Sequence, residues 1–139
     1  MSTQYKPELM VLCDYSLFSQ DGKFSIIGIF DRIYVTQLPS THAKMVIASV
    51  ISGPPNTECE YVVEFIDPDG KLTKNKPVSM KVRIGQNGIG NVASEYIAFG
   101  IEQVGEFKVR LRINGDIVKD VPLYVQKVMT NEHFGNKPN

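Results

Sequence analysis

Strict alternation of apolar and charged residues, ending on an Asn-Gly pair, constrains this chain more than any other feature. In GEFKVRLRINGDIVKDVPLYVQKV, residues 105–128, Phe107, Val109, Leu111 and Ile113 take one side while Lys108, Arg110 and Arg112 take the other. Successive side chains point to opposite faces in a strand, so this spacing buries one face and solvates the other. Asn114-Gly115 then supplies two residues that tolerate φ > 0, the strongest short-range signal for a β-hairpin. Ile117, Val121, Leu123 and Val125 continue the apolar side on the returning strand. Pro122 cannot donate to a ladder, which predicts an edge position or a bulge at that point.

The same period recurs along the chain. EYVVEFIDPDGKL alternates Tyr61, Val63 and Phe65 against Glu60 and Glu64, then turns at Asp67-Pro68-Asp69-Gly70, and Val78, Met80, Val82 and Ile84 continue the pattern after the turn. ASEYIAFGIE reads as a strand carrying Ile97, Phe99 and Ile101 inward. ELMVLCDY, KFSIIGIF and AKMVIASVIS are apolar on both faces for part of their length, as central strands of a sandwich are. Between the first two lies a Gln20-Asp21-Gly22-Lys23 turn; in the second, Phe24, Ile26 and Gly28 share a side, and Gly28 marks a bulge or a close approach of another backbone. Eight or nine short strands with turn signals every 8 to 12 residues or so predict an all-β fold, an antiparallel immunoglobulin-like β-sandwich. With 139 residues the expectation is one sandwich domain over residues 1–129 and a flexible polar tail over 130–139.

Composition narrows the function. Fifteen basic residues balance fifteen acidic ones, so no global field draws nucleic acid or an anionic membrane. In the opening MSTQYKPELMVLCDY the apolar run is broken by Asp14 short of a signal-peptide core, so no secretion signal is expected, and no run approaches the roughly 20 apolar residues of a membrane helix. A cytoplasmic protein is expected, with Cys13 and Cys59 as free thiols in the core.

Catalytic chemistry finds little to stand on. A nucleophile needs an oriented base, and the two histidines are His42, in the PSTHAK loop, and His133, in the tail. A hydrolase pairing Cys13 or Cys59 with His42 is therefore a remote alternative. Zinc spacing is absent, and Asp67 and Asp69, like Asp14, Asp21 and Asp31, read as turn and loop aspartates rather than calcium ligands. GQNGIGN, residues 85–91, has the glycines of a phosphate loop but is followed by a strand, which leaves it a strand connection. No cofactor is expected. Glu58 to Asp69 holds five acidic residues and Lys71 to Arg83 five basic ones, so Glu60 and Glu64 are expected to face Lys81 and Arg83 across a hairpin. Lys108, Arg110 and Arg112 remain as an outward basic stripe without a local partner, the candidate anion-binding residues.

The blocks LCDY (Leu12 to Tyr15), DGK (Asp21 to Lys23), IIGIFDRI (Ile26 to Ile33) and the late GEFKVRLRINGD resemble a family of small bacterial proteins known only as a domain of unknown function. The resemblance implies bacterial or phage origin and a β-rich domain, and brings no catalytic residue with it. The function expected is a non-enzymatic protein-interaction or structural module with a protein partner or a second copy of itself. The alternative is a binding module for an anionic ligand, such as polysaccharide or nucleic acid, on the basic stripe.

Overall fold

Alternation of this kind demands that each buried face find another, and the computed structural model, which describes residues 4–129, meets the demand with two facing sheets. Nine strands build them among the described residues: β1 (Lys6–Phe18), β2 (Phe24–Phe30), β3 (Arg32–Val35), β4 (Ser40–Ser52), β5 (Glu58–Ile66), β6 (Val78–Arg83), β7 (Ile89–Ile101), β8 (Gly105–Ile113) and β9 (Asp116–Lys127). One sheet has the order β2-β1-β4-β7 and the other β3-β9-β8-β5-β6. The described residues contain no helix. The tail read over 130–139, His133 included, lies outside the described residues.

All pairings are antiparallel except β3 with β9, which runs parallel from Arg32 opposite Tyr124 to Val35 opposite Lys127. The cause is a strand that changes sheets. β2 pairs with β1, and after the single residue Asp31 the chain continues as β3 against β9. A purely antiparallel expectation has no place for this switch.

The core lies between the sheets, with Phe65, Tyr96, Phe99 and Phe107 meeting edge to face at centroid distances of 4.8 to 6.3 Å. Phe107, Val109, Leu111 and Ile113 of β8 face it as the alternation requires, as do Tyr61, Val63 and Phe65 of β5. A second, smaller cluster of Cys13, Val46 and Ala48 sits on the other face of the first sheet, where Val11, Phe24, Ile26 and Ala93 pack against it. This is why β1 and β4 are apolar on both faces.

Simple alternation fails at three places. Ala98 has φ 58, and beyond it the inward positions of β7 change parity: Ile97 is 61% exposed whereas Phe99 and Ile101 are buried. The β8–β9 register shifts between Leu111 and Arg112, so Ile117 turns outward and Val118 packs against the core in its place. Gly28 has φ 74, and a Cβ there would stand 2.6 Å from Asp14 Oδ2, so the close approach is made by a side chain rather than by another backbone. Pro122 is at neither an outer edge nor this bulge. β9 is interior to its sheet, but β3 pairs only with Tyr124 to Lys127, so Pro122 lies just past the end of that ladder, where no donor is needed.

One polar pair is sealed inside. Ser49 and Tyr61 are both 0% exposed and share a hydrogen bond of 2.7 Å between their hydroxyls, and burial pushes the Tyr61 phenol up to about 12. Tyr61→Phe leaves the Ser49 hydroxyl without its partner and is expected to cost about 1–3 kcal/mol in urea unfolding, with the Ser49→Ala/Tyr61→Phe double variant costing less than the sum of the singles. Because the folded phenol titrates above the ordinary value of 10.0, wild-type stability is expected to be undiminished by this group below pH 10 and to fall as pH rises towards 12, a component absent from Tyr61→Phe. Gly28→Ala forces a side chain into φ > 0 and onto Asp14, and should cost about 1–3 kcal/mol. Adding Asp14→Ala should recover only the part due to overlap.

Candidate functional site

The residues that sequence reasoning singles out for anion binding do reach solvent on β8, but two of the three are already engaged. Arg110 Nε and Nη2 donate to both carboxylate oxygens of Asp120, directly opposite on β9, at 2.9 and 3.1 Å. That paired geometry raises the Arg110 guanidinium and holds the Asp120 carboxyl below its ordinary range. Arg112 donates to Glu64 Oε1 at 2.9 Å and to the Gly115 carbonyl at 3.1 Å. Lys108 makes no ion pair among the described residues, though its charge helps hold the Asp120 carboxyl down. The stripe expected to lack partners therefore has them on the flanking strands, which local sequence does not reveal. The hairpin pairing meets the expectation in part: Glu60 faces Lys81, but Arg83 faces Glu58, and Glu64 turns to Arg112.

The thiols and the histidine do not meet. Cys13 is fully buried in the outer cluster, its Sγ donating to the Tyr15 carbonyl at 3.6 Å, and burial pushes the thiol up. Cys59 lies in the main core opposite Val82, and burial raises it as well. His42 is not a loop residue: it belongs to β4, opposite Phe99, its ring 5.8 Å from Phe30 and its Nε2 buried without a hydrogen-bond partner among the described residues. Cys13 pairs with Val46, four residues or about 13 Å along β4 from His42. Cys59 is further away: Val82 is at Gly90, which pairs with Ile51, nine residues or about 30 Å from His42. An activated thiol needs a base within hydrogen-bond reach.

The turns consume their own polar groups. Asp67 Oδ1 accepts from the Asp69 and Lys71 amides at 2.8 and 3.0 Å, which commits that carboxylate to its turn. In the 85–91 connection, Gly85 and Gly88 amides donate to the Ile89 and Gly85 carbonyls, and β7 follows directly.

What the fold leaves open is an edge. A two-sheet sandwich has four outer strands, here β2, β7, β3 and β6, and unpaired backbone groups on such strands template association unless shielded. The Asn75 side chain pairs reciprocally with Gly100 of β7, donating to its carbonyl at 2.9 Å and accepting from its amide at 2.7 Å, while Tyr96 donates to the Lys76 carbonyl at 2.8 Å. The 73–76 loop thus covers one end of β7. β3 is four residues long and opens on Arg32, which is held over the Tyr124 ring and donates to Gln126. β6 carries exposed Lys81 and Arg83. β2, in contrast, is seven residues of FSIIGIF with no charge and no proline, its register with β1 unbroken through Gly28. Ile27 and Ile29 are 51% and 63% exposed on it, and Tyr15 and Phe18 of β1 are also exposed. Its apolar character on both faces reads in sequence as a central strand; the structure places it at an edge. Beside it, Met10, Leu12 and Phe30 of the first sheet and Pro122 of the second line an open groove of about 450 Å³.

Comparison with known proteins places this fold. Among solved structures, an immunoglobulin-like protein from Pseudomonas aeruginosa is similar over 88% of this chain and 97% of its own, at 12% identity and a TM-score of 0.50. The alkylpurine DNA glycosylase AlkC of Pseudomonas fluorescens, solved bound to DNA containing an abasic site analogue, is similar over 90% of this chain at 8% identity and a TM-score of 0.52. This chain spans 31% of the glycosylase. At such identities the likeness is one of fold. No curated protein matches the chain. A family model does match, over residues 8–126, covering β1 almost from its start to the penultimate residue of β9, and the chain accordingly belongs to that family, the family of unknown function DUF6941.

Proposed function

We propose that this chain is a non-enzymatic protein-interaction module of the cytoplasm whose recognition element is the free edge of β2. The observation that carries the reading is the mismatch between the strand's sequence and its place: FSIIGIF has the composition of a strand paired on both sides, yet only β1 pairs with it. A partner strand added there satisfies the backbone groups of the open side and covers Ile27 and Ile29, the recognition mode known as β-augmentation. Two buried, unpaired cysteines suit a reducing compartment. The basic face of β8 supports an anion-binding role less well, because Asp120 and Glu64 already answer Arg110 and Arg112. The DNA bound by the glycosylase adds no support, since the two chains share a fold and not a surface sequence.

A photo-reactive side chain at position 29, introduced in cells of the source organism, should yield a protein cross-link, and one at position 81 on the β6 edge should not. Ile27→Lys should abolish the adduct, whereas Arg110→Ala should leave it unchanged. Adducts that form at position 81 and not at position 29 would overturn the assignment of β2.

A further inference from the structure

The reading above leaves the occupant of the edge unnamed, and resting on it we propose that the partner strand is β2 of a second copy of this chain, paired antiparallel about a two-fold axis through Ile27. Three observations carry this. First, the strand complements itself: around Ile27, Ile26 of one copy comes level with Gly28 of the other and Ser25 with Ile29, a large residue beside a small one each time, Phe24 comes level with Phe30, and no like charges face each other. Second, the same register brings Lys23, just before the strand, to Asp31, just after it, at both ends of the pair. Lys23 reaches only an exposed Asp21 within its own chain, at 3.5 Å, and Asp31 has no side-chain ion pair among the described residues. Fifteen basic and fifteen acidic residues leave no net repulsion between copies.

Third, the arrangement closes. An isologous pair consumes the β2 edge of each copy and joins two four-stranded sheets into one of eight, ending at either side on β7, one end of which Asn75 covers at Gly100. Assembly therefore stops at two instead of continuing as a fibre. A seven-residue strand pair with its flanking side chains buries on the order of 1,000 Å² in total, the lower bound for a specific interface, and so a dimer dissociating in the micromolar range is expected.

Sedimentation of the purified full chain at about 100 μM should give twice the 15.5 kDa of one chain, and Ile27→Lys should give one copy with an unchanged circular dichroism spectrum. Register is tested by mild oxidation, for which the native thiols are too buried to compete. Ile27→Cys should form a cross-linked dimer alone. Ser25→Cys and Ile29→Cys should each fail alone and cross-link when mixed. Lys23→Glu should weaken the dimer several-fold, and Lys23→Glu/Asp31→Lys should restore it. A monomer at this concentration, or a dimer that Ile27→Lys leaves intact, overturns the inference. The two readings fail separately: a monomeric chain that still cross-links another protein at position 29 in cells removes the second copy and keeps the edge, whereas a dimer insensitive to Ile27→Lys with no adduct at position 29 removes both.

Discussion

Strands of unequal length face each other across this core, and much else follows from that mismatch. β1, β4 and β7 each run 13 residues, about 43 Å, while in the second sheet only β9, with 12, comes near that length, and β5 and β8 run nine, about 30 Å. The excess length of the first sheet cannot be buried between the sheets. Some of its apolar surface goes to the small outer cluster around Cys13, Val46 and Ala48, on which Phe24 and Ile26 settle. Some stays in solvent, as Tyr15, Phe18, Ile27 and Ile29 do.

Where the core ends, the backbone has to change which residues it turns inward. Ala98 and Gly28 do this with positive φ, and the register shift near Val118 does it by adding a residue. Each costs regularity locally and gains burial for the residues beyond it. Phe99 is the clearest gain, since from its switched position it touches Phe65, Tyr96 and Phe107. A glycine serves at position 28 because the Asp14 carboxylate fills the space a Cβ would take.

Charge on the second sheet follows a different logic. Its outer face is dense in ion pairs that run between neighbouring strands, Glu64 to Arg112 and Arg110 to Asp120. Such half-exposed pairs stabilise by roughly 0.2–1 kcal/mol each, and they favour the register in which they form. The second sheet's outer face thus answers most of its own charge, whereas the β1–β2 side of the first is apolar beside an open edge. That asymmetry is what the proposed role of the β2 edge rests on.

Most of the strands were legible in the sequence, because side-chain direction in a strand has period two and turn chemistry is local: Asn114-Gly115, Asp67 to Gly70 and Gln20 to Lys23 each mark a turn that the structure has. The faces of β5 and β8 were legible for the same reason. Sheet order was not, since pairing of β1 with β4 or β3 with β9 joins residues far apart in the chain, and nothing local distinguishes a central strand from an edge strand of the same composition. Hence FSIIGIF reads as interior, Arg110 and Arg112 read as unpaired, and His42 reads as a loop residue. The sequence by itself determined that this chain alternates, turns and buries one face of each strand. Only the tertiary structure decided which strands stand at the edges, because an edge is a property of the order in which strands assemble and not of any one of them.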